Sequence, residues 1–178
     1  MRAVIVAVGL WLSTGASANE AYHWLLPDSY QVQATDSLLS INFKNPQQVL
    51  LNLSFHVDDE WRDVPGETMR DEFIDGLLAV PGVKSGRRFV LKLPAQKLGT
   101  RQIPPREWFC QDWQGPGLKK GSQQIGRICV YAQQALRVVV SLNSPSLHAK
   151  TAAEDYQLAL SGLSLDWDAL VALRDSQP

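Results

Sequence analysis

The chain has 178 residues, 45% hydrophobic and 20% charged, with a formal net charge of −1. That is the composition of an ordinary folded protein, with enough chain for one real core and too little for two typical domains. No long apolar run follows the first twelve residues, so no membrane span is expected beyond them.

The N-terminus reads as an address. Arg2 gives a positive start, Ala3 to Leu12 form a short apolar run, and Ala16-Ser17-Ala18 closes it in an A-x-A pattern. This predicts a cleavable signal peptide over 1–18 and a single globular domain over 19–178, periplasmic or secreted. Asn19 rather than cysteine follows the expected cut, which argues against a lipid anchor. The short n-region looks bacterial; in a eukaryotic secretory setting Asn52-Leu53-Ser54 would be a glycosylation sequon.

Residues 19–33 form a lead-in ending in a short strand. Leu38 to Phe43 alternates, and Val49 to Val57 alternates more clearly, with Val49, Leu51, Leu53, Phe55 and Val57 on one face. Period-two patterning marks half-buried strands. The turn-forming segment 44–48 between them predicts a hairpin in which position 43 faces 49 and position 36 faces 56. Met69, Phe73 and Leu77 then recur every fourth residue over 66–80, an amphipathic helix with Glu67 near its start and Pro81-Gly82 at its end.

Strand patterning returns at 88–93 and, after Pro104-Pro105, at 106–113, 125–131 and 136–142. Val138-Val139-Val140 is the most apolar of these runs. Residues 156–161 alternate and read as a strand, with a helix over 152–163 as the competitor. Asp166-Trp167-Asp168 opens a last helix, with acids at its positive end. The sum is an α+β fold: a mainly antiparallel sheet of about five to seven strands with two helices on one face.

The two cysteines, Cys110 and Cys129, suit one intramolecular disulfide in an oxidising compartment. The bridge closes a loop of roughly 20 residues, worth on the order of 3 kcal/mol in the chain-entropy account. With 106–113 and 125–131 paired, the cysteines fall opposite each other and the loop tip centres on Lys119 and Lys120. Trp108, Phe109 and Trp113 flank that loop. A basic tip beside aromatic residues is a contact surface for an acidic or carbohydrate-bearing partner, so Trp108, Trp113, Lys119, Lys120 and Arg127 are the binding candidates. A solvated turn above core aromatics is the competing reading.

Charge is laid out in blocks. Residues 58–75 hold eight carboxylates against two arginines, a net of −6, and residues 81–150 hold twelve cations against two carboxylates, a net of +10. Either the blocks neutralise each other in the fold, or a basic face stays open to an anionic partner. The export signal and the lack of any nucleic-acid motif argue against nucleic acid.

Catalytic chemistry has one candidate set. In the expected hairpin register Asp36 faces His56, which would orient a general base, with Asn52, Ser54 and Asp58 on the same face. No G-x-S-x-G turn accompanies it. His56-x-Asp58-x-Glu60 lacks a second histidine, so neither a metal nor another cofactor is expected. The leading expectation is therefore an exported, non-catalytic envelope protein that binds a protein or anionic envelope component, as an accessory or assembly factor, an inhibitor or an immunity-type protein. The alternatives are a small exported hydrolase using His56 and Asp36, and a structural subunit of an envelope assembly.

Overall fold

A computed structural model describes residues 3–6, 22–33, 40–57, 59–98, 101–117, 119–133, 136–146 and 149–175. The elements in chain order begin with β1 (Ala3–Val6), β2 (Tyr22–Pro27), β3 (Gln31–Gln33), β4 (Ser40–Lys44) and β5 (Leu50–Val57). A short 3-10 turn at Asp59–Trp61 leads into α1 (Gly66–Leu78). There follow β6 (Lys84–Leu93), a minor hairpin of β7 (Gln96–Leu98) and β8 (Arg101–Ile103), then β9 (Arg106–Pro116), β10 (Gln123–Gln133) and β11 (Leu136–Pro145). The chain ends in α2 (Ala149–Gly162), β12 (Leu163–Leu165) and α3 (Trp167–Asp175).

Seven strands form one antiparallel sheet in the order β3-β4-β5-β11-β10-β9-β6, and a second sheet runs β1-β2-β12. The α+β class and the antiparallel sheet are as the sequence predicts. The helices differ from expectation: among the described residues there are three, and they lie on both faces. Alternation along β11 gives the reason. Val138 and Val140 belong to the core under α2 and the small sheet, while Val139 belongs to a second core with Met69 and Ile74 of α1. A run of valines buried on alternate sides needs cover on both. Tyr156 on α2 and Trp24 on β2 close the first layer. The Tyr156 hydroxyl donates to the Val140 carbonyl at 2.5 Å, and the Trp24 indole donates to the Ala159 carbonyl at 2.7 Å.

Two local expectations are corrected. Residues 156–161 are helical, part of α2. The buried set there is Ala152, Tyr156, Ala159 and Leu160, a helical spacing, whereas Leu158 is 42% exposed. The β4–β5 register is also two residues from the expected one, because Phe43 faces Leu51. Asn45 and Val49 close the hairpin, leaving a loop of three residues, 46–48, between them. Asn45 N–H donates to the Val49 carbonyl (3.1 Å), Gln48 N–H donates to the Asn45 carbonyl (3.0 Å), and Gln48 takes a φ of 64°. That is a type I turn followed by a left-handed residue, the usual three-residue hairpin. The Asn45 side chain also accepts from Val49 N–H at 2.9 Å, which fixes the turn.

The disulfide joins Cys110 and Cys129, which face each other directly across β9 and β10. Both are fully buried, so the bond lies inside the first core rather than on the surface. No helix among the described residues is long and apolar enough to cross a membrane.

Candidate functional site

The β9–β10 hairpin organises one end of the large sheet. Its tip carries Lys119 and Lys120, both exposed. The turn is closed by Gly117 N–H donating to the Ser122 carbonyl at 2.9 Å and by the Ser122 hydroxyl donating to the Lys119 carbonyl at 2.7 Å. Register brings the start of β6 to the same end, since Lys84 faces Gln114. The first turn of α2 brings Lys150 there, because Ala153, one turn on, lines the cleft at this end.

A bulge shapes β6. Ser85 faces Trp113 and Arg88 faces Gln111, so Gly86 and Arg87 together oppose Asp112. The extra residue re-aims the side chains on each side of the strand. The buried Gln111 amide fills the bulge, donating to the Ser85 hydroxyl (2.6 Å) and the Gly86 carbonyl (2.8 Å), while its oxygen accepts from Arg88 Nε at 2.6 Å. At Gly86 a Cβ would sit 3.1 Å from the Asp112 carbonyl oxygen, a tight contact that the small residue relieves.

On the α2 side of this bulge lies a cleft of about 380 Å³. Ile125 and Leu142 supply apolar wall, and Ala153 on α2 forms one lip. Asp112 and Arg127 cross the floor as a two-point pair, with Nε–Oδ1 at 2.6 Å and Nη2–Oδ2 at 3.2 Å. Arg127 is further held by rings, its Cζ lying 4.8 Å from the Phe89 centroid and 5.8 Å from that of Tyr156. Arg87 stands over the same Phe89 ring at 4.5 Å. Guanidinium groups stack readily on aromatic faces, so both arginines are oriented before any ligand arrives.

Ion pairs among the described residues of the charge blocks are few, and of the three that follow only Arg88–Asp71 joins the two blocks. Arg88 reaches Asp71 at 3.3 Å, and Asp71 also takes Arg70 at 2.8 Å. Lys92 pairs with Glu107 at 2.7 Å. Arg88–Asp71 and Lys92–Glu107 are surface contacts of small energy, whereas Arg70 is buried. Among the described residues, Lys84, Arg87, Lys119, Lys120 and Lys150 meet no carboxylate, so this end of the sheet keeps a positive excess. The exposed acids Glu60, Asp63 and Glu67 lie toward the start of α1, which follows the far end of β5.

The remaining sequence candidates fall elsewhere. Trp108 is fully buried in the core beneath α2, and Trp113 is buried on the other face, over Gly126. Neither indole is on the surface of the tip, so of the five binding candidates only Lys119, Lys120 and Arg127 gather at this end with accessible charge. Arg87 and its bulge were missed, although a lone glycine inside a strand pattern, Ser85-Gly86-Arg87, is the ordinary signal of one.

His56 faces Arg137 across β5 and β11. Asp36 and Asp58 lie outside the described residues. The His56 ring packs against Phe73 (centroids 5.3 Å apart) and Trp61 (6.2 Å), with Nε2 at 3.2 Å from the Ser54 hydroxyl. Burial lowers its pKa below the usual histidine value. The ring is half-buried beneath α1. No group of three or more metal-ligating side chains occurs among the described residues.

No family model matches the chain, and no curated protein matches it in sequence. The fold has solved counterparts. The Saccharomyces cerevisiae Ran-binding protein Mog1p superposes with a TM-score of 0.54 at 12% identity, over 95% of this chain and 98% of its own. Cyanobacterial PsbP from Synechocystis sp. PCC 6803 gives 0.53 at 9% identity, over 89% and 100%. A Bacteroides thetaiotaomicron protein gives 0.53 at 12% identity over 84% of this chain, which spans only 46% of that protein's length. At such identities what is shared is the fold: this chain is built like Mog1p and PsbP.

Proposed function

We propose that this chain is an exported, non-catalytic binding protein of the cell envelope, and that the basic end of its large sheet docks an acidic partner. The observation that carries the reading is the cluster of Lys84, Arg87, Lys119, Lys120 and Lys150 at one end of the sheet, none of them in an ion pair among the described residues. A concentrated positive patch steers an anionic partner and fixes its orientation. Export is supported by the signal-like residues 1–18 and by a disulfide of the kind oxidising compartments maintain. That a protein of this fold is described as Ran-binding fits a scaffold for protein recognition.

The test is capture from envelope extract with the tagged chain, eluting with rising salt. Lys119→Glu combined with Lys120→Glu should abolish recovery of the partner while leaving thermal melting unchanged, since both side chains are exposed. Equal recovery at equal melting would overturn the docking role of the tip. N-terminal sequencing of the exported form should begin at Asn19, a cut that removes β1 from the small sheet and leaves β2 paired with β12; a start at Met1 would overturn export.

A further inference from the structure

We propose that the cleft between β6 and α2 is the specificity pocket of this surface, receiving one carboxylate side chain from an acidic, partly apolar segment of the partner and holding it between Arg87 and Arg127. The proposal rests on the binding reading above and names the chemistry that the patch selects.

The argument begins with donors. A guanidinium has five N–H bonds in a fixed fork. Asp112 occupies the Nε side of Arg127 through Nε and Nη2, and Nη1 meets no acceptor among the described residues. Arg87 meets none at all and lies over the same phenyl ring. Asp112 thus pairs with Arg127 alone, and the exposed Arg87 brings to the cleft wall a positive charge that is in no ion pair among the described residues. Its complement is one planar monoanion, which a guanidinium edge binds by parallel hydrogen bonds. A dianionic phosphate would meet the fixed negative charge of Asp112 on the floor.

The walls define the rest of the ligand. Ile125, Leu142 and Ala153 offer apolar surface, and the volume of about 380 Å³ is at the low end for small-molecule pockets. That is room for an acidic side chain with an adjoining aliphatic one. Outside the cleft the positive surface continues along Lys84 and the hairpin tip, farther than a small free acid reaches. A chain segment with several carboxylates, one of them inserted, matches both features.

The experiment is calorimetric titration of the full chain at low salt with a blocked synthetic peptide alternating glutamate and leucine, against its glutamine counterpart. Saturable one-to-one binding is expected for the acidic peptide, with the amide form weaker by about tenfold or more, the loss expected for one charge-assisted contact. Arg87→Gln should weaken binding by roughly the same factor. Ala153→Glu changes an exposed helical position and places an internal carboxylate at the lip, and it should compete to a similar degree. Asp112→Asn, which frees the second edge of Arg127, should strengthen binding. Melting curves for each variant keep folding separate from binding.

Weakening by Lys119→Glu with Lys120→Glu, but not by Arg87→Gln or Ala153→Glu, would overturn the cleft and leave the surface reading standing. Failure of the peptide to bind the unaltered chain would overturn the pocket, while partner capture still judges the surface separately. Displacement of the peptide by acetate at equal carboxylate concentration would overturn the chain-segment assignment, as would tighter association with phosphatidylglycerol vesicles.

Discussion

Arg106 and Arg127 extend from neighbouring strands toward the same face of one sheet, and they end in opposite situations. Arg106 is 5% exposed and donates to the carbonyls of Leu163 (2.5 Å), Leu160 (3.2 Å) and Ser161 (3.4 Å) around the end of α2. It satisfies acceptors that a helix C-terminus leaves open, and its charge opposes the negative end of the helix dipole. Arg127 meets a single carboxylate, keeps Nη1 open and sits at the edge of a cleft. The same residue type is a rivet at one end of the sheet and keeps an open edge at the other. What separates them is whether backbone carbonyls or open space lie around the guanidinium.

Replacing each arginine should therefore give unlike results. Arg106→Ala orphans the α2 carbonyls in a buried setting and should cost about 3 kcal/mol, read as a lower urea midpoint. The Cys110→Ala, Cys129→Ala double variant should cost a comparable amount, on the order of 3 kcal/mol, while leaving the basic end intact. Arg127→Gln should cost about 1 kcal/mol or less, because its partner Asp112 is 31% exposed and water screens the pair. A large loss at Arg127, or none at Arg106, would break the distinction.

The smallest expected effect concerns His56, which lies away from both arginines. Burial holds its folded pKa below 6.5, so the unfolded chain takes up the proton first as pH falls. Stability should be full above about pH 6.5 and decline as pH drops through that value toward the folded pKa. His56→Gln should reduce the difference in urea midpoint between pH 7.5 and 5.5 by an amount equivalent to roughly 1 kcal/mol or less. An unchanged difference would show that the ring is not the titrating group.

Much of the frame was legible in the residues. Alternation along β5, the four-residue recurrence along α1 and the facing cysteines of β9 and β10 each announce their structure, because burial on one face leaves a period in the sequence. The hairpin register was not legible, since it turns on Gln48 adopting a positive φ, which glutamine seldom advertises. α2 was obscured because alanines 152 and 159 carry half of its buried stripe and register weakly beside Leu158, which faces solvent. The tip lysines and Arg127 could be picked out from charge alone. Arg87 could not be, because its role depends on a bulge that sets it beside Asp112 and on a phenyl ring shared with a residue forty positions away. The tryptophans were ambiguous for the opposite reason: an indole reads as a contact residue or a core residue alike until the sheet is built.

The most direct measurement follows the arginine Nε–H signals of the full chain by NMR while the glutamate–leucine peptide is added. Saturable shifts at Arg87 and Arg127, with Arg106 and Arg137 unmoved, are the expected result. Signals from Arg87 and Arg127 that stay still while the peptide binds would contradict the assignment of this cleft as the receptor.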